Sequence, residues 1–210
     1  MSELFVRIIS GLIMIAVALA AAWQGGDFLA LLVAAVATAV YYEWWLLSRA
    51  WGPRWTVAGF VYALLPAISL LWIRERDADG LDLLLWVFIV TWATDIGAYF
   101  VGRAFGQKKL APSISPNKTV AGLYGGVAAA TLLGGAWVLY RDLNHALIIL
   151  APVFAAAAQA GDLFESWMKR RAGVKDSGNW LPGHGGLLDR LDGMMPVAVL
   201  TALAQLVGLA

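Results

Sequence analysis

The chain has 210 residues, 61% of them hydrophobic and only 14% charged, and its 15 basic and 14 acidic side chains nearly cancel. A soluble domain carries about a quarter charged residues, so this composition excludes a water-clad globule, and the missing basic excess excludes a nucleic-acid binder. The absence of cysteine excludes disulfides, thiolate zinc sites and thiol catalysis.

Crossing the hydrocarbon core of a bilayer takes about 20 apolar residues in a helix. The start, Met1 to Arg7, lacks a strongly basic leader, and the apolar run behind it meets no cleavage site. Residues 4–23 are therefore expected to be a retained first span. Further spans are predicted over residues 28–47, 55–73, 83–101, 120–140, 146–168 and 191–209. Each run is continuously apolar, whereas barrel strands alternate over about 10 residues. Trp23, Trp45, Trp55, Trp72 and Trp167 fall near the proposed ends, where interfacial aromatics belong. The predicted fold is all-α, a polytopic transmembrane bundle of about seven spans. With no repeat and no low-complexity linker, residues 1–210 read as one membrane domain. Residues 1–80 supply N-terminal helices, and residues 81–210 supply the catalytic helices and loops.

Placing successive loops on alternate sides separates the basic residues. Arg7, Arg49, Arg54, Arg103, Lys108, Lys109, Lys118, Lys169, Arg170, Arg171, Lys175 and Arg190 share one side, and only Arg74, Arg76 and Arg141 take the other. Cytoplasmic loops carry the Lys/Arg excess. This predicts a cytoplasmic N-terminus, an outer C-terminus and two long inner loops, 103–119 and 169–188.

Six acids fall inside or at the ends of spans: Glu43, Asp95, Asp162, Glu165, Asp189 and Asp192. A charge at mid-bilayer costs at least about 2.5 kcal/mol, so each needs a partner or a function. In the predicted orientation all of them lie toward the inner face. Asp162, Glu165, Ser166 and Lys169 stand at i, i+3, i+4 and i+7, one stripe of a helix, and Asp189 and Asp192 also share a face. Such pairs of hard oxygens suit Mg²⁺, which binds one or two carboxylates and leaves room for substrate phosphate. The alternative is that the acids pair with Lys169, Arg170 or Arg190 only to hold helices together.

The inner loops carry phosphate-binding chemistry. In the second, glycines including Gly185 and Gly186 let backbone N–H groups approach an anion, and Lys169, Arg170 and Lys175 supply positive charge. His184 can donate a hydrogen bond or move a proton, unless it is a turn histidine without chemistry. In the first loop, Lys118 and Thr119 open the fifth span, and helix N-termini favour anions. Lys108 and Lys109 read as serving the charge bias alone, and Gly122 and Gly126 have the spacing of a helix-packing pair. No P-loop pattern occurs. The string Asp189-Arg190-Leu191-Asp192-Gly193 opens like a CDP-alcohol phosphotransferase motif, but Pro196 and Val197 follow where further aspartates are needed, which excludes it.

The run Ser166-Trp167-Met168-Lys169-Arg170, then Lys175-Asp176-Ser177-Gly178, then Leu181-Pro182-Gly183-His184-Gly185-Gly186-Leu187-Leu188-Asp189-Arg190-Leu191-Asp192 resembles the signature of the phosphatidate cytidylyltransferases. Upstream, Asp95, Tyr99, Gly102, Lys118, Thr119 and the Gly125-Gly126 pair are similar to a second marked region of that family. Ala121 departs from it, standing where relatives usually carry Glu or Gln. The first 80 residues are only generically similar, and the chain is expected to be shorter than many relatives by an N-terminal helix or two.

The resemblance implies a Mg²⁺-dependent enzyme of the bacterial plasma (inner) membrane, with its site facing the cytoplasm. CTP and phosphatidic acid would be its substrates, and CDP-diacylglycerol and pyrophosphate its products. On this expectation Asp162, Asp189 and Asp192 hold metal, with Asp95 a further candidate. Lys118, Lys169, Arg170 and Lys175 hold phosphates, with Thr119, Gly185, Gly186 and Arg190 beside them. Ser166 and His184 orient them, and Asp176 either fixes Lys175 or contacts the nucleotide. A homodimer is left open. The rival readings are a CTP-dependent polyprenol or phytol kinase, which would release CDP, and a cation-coupled transporter. The acids' common face and the lack of a repeat count against the transporter.

Overall fold

Continuous apolar runs become long helices, and the breaks between them fall at glycine, proline and polar residues. The computed structural model describes residues 3–181 and 183–210. Helix α1 spans Glu3–Gln24 and α2 spans Gly26–Ser48; a 3-10 turn at Arg49–Trp51 leads into α3, Pro53–Arg76. Helix α4 is Gly80–Phe105. The strands β1, Lys109–Ala111, and β2, Ser115–Thr119, precede α5, Val120–Arg141, and α6, Ala146–Arg171. A short α7, Leu188–Leu191, and α8, Met194–Leu206, complete the chain. Pro53 opens α3 at a position where its missing N–H costs nothing. Asp142, in the left-handed region with φ 56°, closes α5.

Among the described residues six helices, α1 to α6, are long and apolar enough to cross a membrane. They match the first six predicted spans. At 1.5 Å per residue, their 21 to 26 residues reach beyond the roughly 30 Å hydrocarbon core. The seventh predicted span, residues 191–209, is shorter than expected. The run is split at Asp192 and Gly193, which lie between α7 and α8, and α8 has only 13 residues, about 20 Å. At the split, Asp192 Oδ1 accepts the N–H of Gly193 at 2.7 Å.

Helix α4 is the axis of the bundle. Trp86, Val87 and Val90 on it are fully buried with Ile73 of α3 and Leu147 and Ala155 of α6. Gly122 and Gly126 let α5 lie directly on Ala98 and Thr94 of α4, the packing role expected of their spacing, and Gly125 does the same on Val101. Outward-facing Leu4, Ile8, Leu12, Leu132, Tyr140 and Ile149 are exposed. Apolar surface of that extent is stable only against lipid, and the chain is an integral membrane protein.

The two ends of the bundle differ. At one, Arg74 Nε donates to Ala22 O at 2.7 Å, Arg141 pairs with Asp82 at 2.7 Å and Gln205 Nε2 donates to Asp77 at 2.8 Å. The other carries the start of α1, the 3-10 turn, the β1-β2 hairpin and the segment from Ala172 to Leu187. The hairpin lies where only a loop was predicted. It is antiparallel, with Lys109 opposite Thr119 and Ala111 opposite Ser115. Arg170 Nε ties it to the end of α6 by donating to Ile114 O at 3.2 Å.

Candidate active site

A cavity of about 1250 Å³ opens among α1, α2, α3, α4 and α8. Its walls change character along its length. Val33, Leu70, Leu84 and Phe88 line an apolar chamber within the bundle. Asp95, Lys118, Asp162, His184, Arg190 and Asp192 line the end beside the hairpin. Asp189 and Thr119 also face this end, so all four predicted metal candidates meet at one space.

Strand β2 aims Lys118 across this space. Its Nζ donates to Gln159 Oε1 at 2.7 Å and pairs with Asp162 Oδ2 at 2.7 Å. Thr119, fixed by the hairpin register, caps α5 by accepting the Gly122 N–H at 3.0 Å. On α6 the predicted stripe forms: Ser166 Oγ donates to Asp162 Oδ1 at 3.3 Å, and Lys169 Nζ pairs with Glu165 Oε2 at 2.7 Å. Lys169 also pairs with Asp189 Oδ1 at 2.6 Å, which joins α6 to α7.

The second Asp189 oxygen, Oδ2, accepts the N–H groups of Ser177 at 3.0 Å and Gly186 at 2.8 Å. Burial works to raise this carboxyl, but Glu165, Lys169 and the Gly186 N–H outweigh it and bring it down to about 2. Asp189 is thus a hub for its own loop. Ion pairs engage Asp162, Glu165 and Asp189, and only that of Asp189 joins two helices. Asp95 and Asp192 join no ion pair among the described residues, although both line the cavity.

His184 Nδ1 shares a hydrogen bond of 2.9 Å with Ser10 Oγ of α1. Its carbonyl accepts from Arg190 Nε and Nη2, at 3.1 and 2.9 Å. Gly185 closes the turn, its carbonyl accepting from Leu181 N at 3.1 Å. Pro182 of the signature lies outside the described residues. Ser166 and Lys169 stand behind the lining, whereas Arg170, Lys175 and Asp176 are exposed and do not line it, although Asp176 packs beside Gly185. No ion pair joins Lys175 to Asp176.

The donor set fits a magnesium ion shared with a substrate. Asp95, Asp162 and Asp192 present hard oxygens from three elements, and Glu165 Oε1 lies buried beside them without a hydrogen-bond partner. Among the described residues no three His, Cys, Asp or Glu side chains stand close enough to enclose an ion alone. A site completed by substrate phosphate and water is the kind Mg²⁺ usually occupies.

Sequence reasoning missed several contributors. Gln159, one turn before Asp162 on the α6 stripe, was legible as a polar group in an apolar span. Lys109, read as serving charge bias, lines the cavity mouth with Arg103 and Asn117. Glu43 was noticed as an acid needing a partner, and its partners lie far along the chain. Its Oε2 accepts from Ser177 Oγ at 2.9 Å and Leu188 N at 2.8 Å, and its Oε1 accepts from Leu187 N at 2.9 Å.

A sequence profile of the Cytidylyltransferase family matches residues 49–207. The phosphatidate cytidylyltransferase of Brucella suis biovar 1 is 36% identical, over 95% of this chain and 92% of its own length. That of Staphylococcus saprophyticus is 45% identical over 61% of this chain and 50% of its own. The Bacillus subtilis enzyme of the same name is 47% identical over 59% of this chain and 47% of its own. With the profile covering most of its length and a relative matched nearly end to end, the chain belongs to the cytidylyltransferase family.

Proposed function

We infer that this membrane enzyme is a nucleotidyltransferase that moves the cytidylyl group of CTP onto phosphatidic acid, giving CDP-diacylglycerol and pyrophosphate. The observation that carries the reading is a single cavity with an apolar chamber at one end and carboxylates and cations at the other. Small-molecule pockets run about 300–1,000 Å³, and the larger volume suits a lipid together with a nucleotide.

In this reading the acyl chains occupy the chamber lined by Val33, Leu70, Leu84 and Phe88, which leaves the lipid phosphate beside Lys118 and Arg190. A phosphate oxygen of the lipid attacks the α-phosphorus of CTP. The new P–O bond forms as the α–β bridge breaks, and its electron pair leaves on pyrophosphate. Two phosphates repel, so the cations must neutralise them in place. Lys118 is held for that task by Asp162 and Gln159. Asp162 and Asp192, with Asp95, would hold Mg²⁺, whose chemistry when bound would be to neutralise the remaining phosphate charge. Asp189 acts by fixing Lys169 and the glycine-rich turn. His184, steadied by Ser10, orients the polar end.

The basic residues cluster at the same end as the carboxylates, which supports a cytoplasm-facing site and a cytoplasmic N-terminus. The bacterial relatives support the bacterial inner membrane as its location. The test is purified protein with phosphatidic acid, CTP and Mg²⁺, read by mass spectrometry of the lipid and by pyrophosphate release. Release of CDP with a phosphorylated lipid would assign a kinase instead.

A further inference from the structure

Glu43 sits on α2, outside the 49–207 match, and is fully buried. It joins no ion pair among the described residues. Taking a carboxylate out of water costs several kcal/mol, and an apolar residue would pack there more cheaply beside Trp44, Leu188 and Met195. What a carboxylate alone provides is acceptor capacity on two oxygens. Glu43 uses both oxygens, taking Ser177 Oγ, Leu187 N and Leu188 N at 2.8 to 2.9 Å. The loop is shaped to reach it, since a Cβ at Gly178 or Gly186 would run into the Glu43 carboxylate.

Ser177 faces both ways. Its hydroxyl donates to Glu43, and its N–H donates to Asp189 Oδ2. Asp189 in turn holds Lys169 at 2.6 Å. One connected set of bonds therefore runs from α2 through the loop to the cation on α6. We propose that Glu43 is a positioning residue for the nucleotide: it sets the loop carrying Ser177, Gly186 and Asp189, and through them the Lys169 ammonium. The proposal rests on the cytidylyl-transfer reading for its kinetics but not for its geometry.

Glu43→Gln keeps the shape and removes one acceptor. Its amide sets an N–H₂ against at least one of the Leu187 and Leu188 N–H groups. In the monodisperse, folded fraction of this variant, kcat/KM for CTP is expected to fall about 10²-fold, as for a small misplacement at a reacting centre. KM for phosphatidic acid should rise by less than the CTP effect, because Leu70, Leu84 and Phe88 of α3 and α4 still wall the chamber. Ser177→Ala, which keeps the backbone N–H to Asp189, should lose about tenfold. Hydrogen exchange of the peptide covering Gly183 to Arg190 should quicken in Glu43→Gln and leave α4 and α5 unaffected. Wild-type CTP kinetics per folded molecule together with wild-type exchange in this peptide would overturn the proposal, whatever the melting temperature. If wild-type protein made no CDP-lipid, the reaction assignment would fail, and the exchange measurement would still decide the role of Glu43.

Discussion

Replacing Asp189 by Asn tests the hub that joins α6, α7 and the glycine-rich turn. The amide keeps the size of the side chain but has one acceptor oxygen. If that oxygen serves the Ser177 and Gly186 N–H groups, the N–H₂ faces the Lys169 ammonium, donor against donor. A hydrogen bond to a charged group contributes about 1.5–3 kcal/mol. The depressed carboxyl points the same way, because the Lys169 and Gly186 contacts that Asp189→Asn would weaken are among those that bring it down on folding. The expected loss is about 2 kcal/mol, or several degrees in melting temperature for a chain of this size. The pH dependence has a definite sign. A depressed folded-state value means the stabilisation is complete above the ordinary carboxyl range and is lost as pH falls through about 2. Melting of both proteins in detergent should therefore show a constant gap from pH 7 to 5 that narrows below about 4. Turnover should be abolished, with membrane insertion intact. Equal melting temperatures at pH 7, or equal turnover, would refute the reasoning.

Lys118→Met removes the cation bound to Asp162 and Gln159; turnover should fall about 10²-fold or more, measured as CDP-lipid formed per folded molecule. Ala37→Phe intrudes on the apolar chamber and should raise KM for long-chain phosphatidic acid while sparing a short-chain analogue, a comparison read from a chain-length series. Thr119→Val deletes the α5 cap and should cost about 1 kcal/mol in thermal stability. Chelation by EDTA should stop turnover and added Mg²⁺ should restore it, with Mn²⁺ binding by spin resonance weakened in Asp162→Asn and Asp192→Asn.

Local patterns were legible. The stripe of Asp162, Glu165, Ser166 and Lys169 follows from helical spacing, and both of its pairs form one turn apart. Six spans followed from hydropathy, because in lipid a helix must satisfy its own backbone. The break at Asp192 and Gly193 was hidden because hydropathy sums over the apolar residues that follow it. The hairpin was hidden because Ser115 to Thr119 is polar and pairs over only a few residues. Glu43 was conspicuous as a buried charge. Its partners at Ser177, Leu187 and Leu188 are set by packing between distant elements, which no local pattern encodes.

The most direct measurement follows two labels of CTP in parallel reactions with phosphatidic acid and Mg²⁺. The account predicts that label on the α-phosphorus enters the lipid while label on the γ-phosphorus leaves entirely as pyrophosphate. Recovery of the γ-label in the lipid would contradict it.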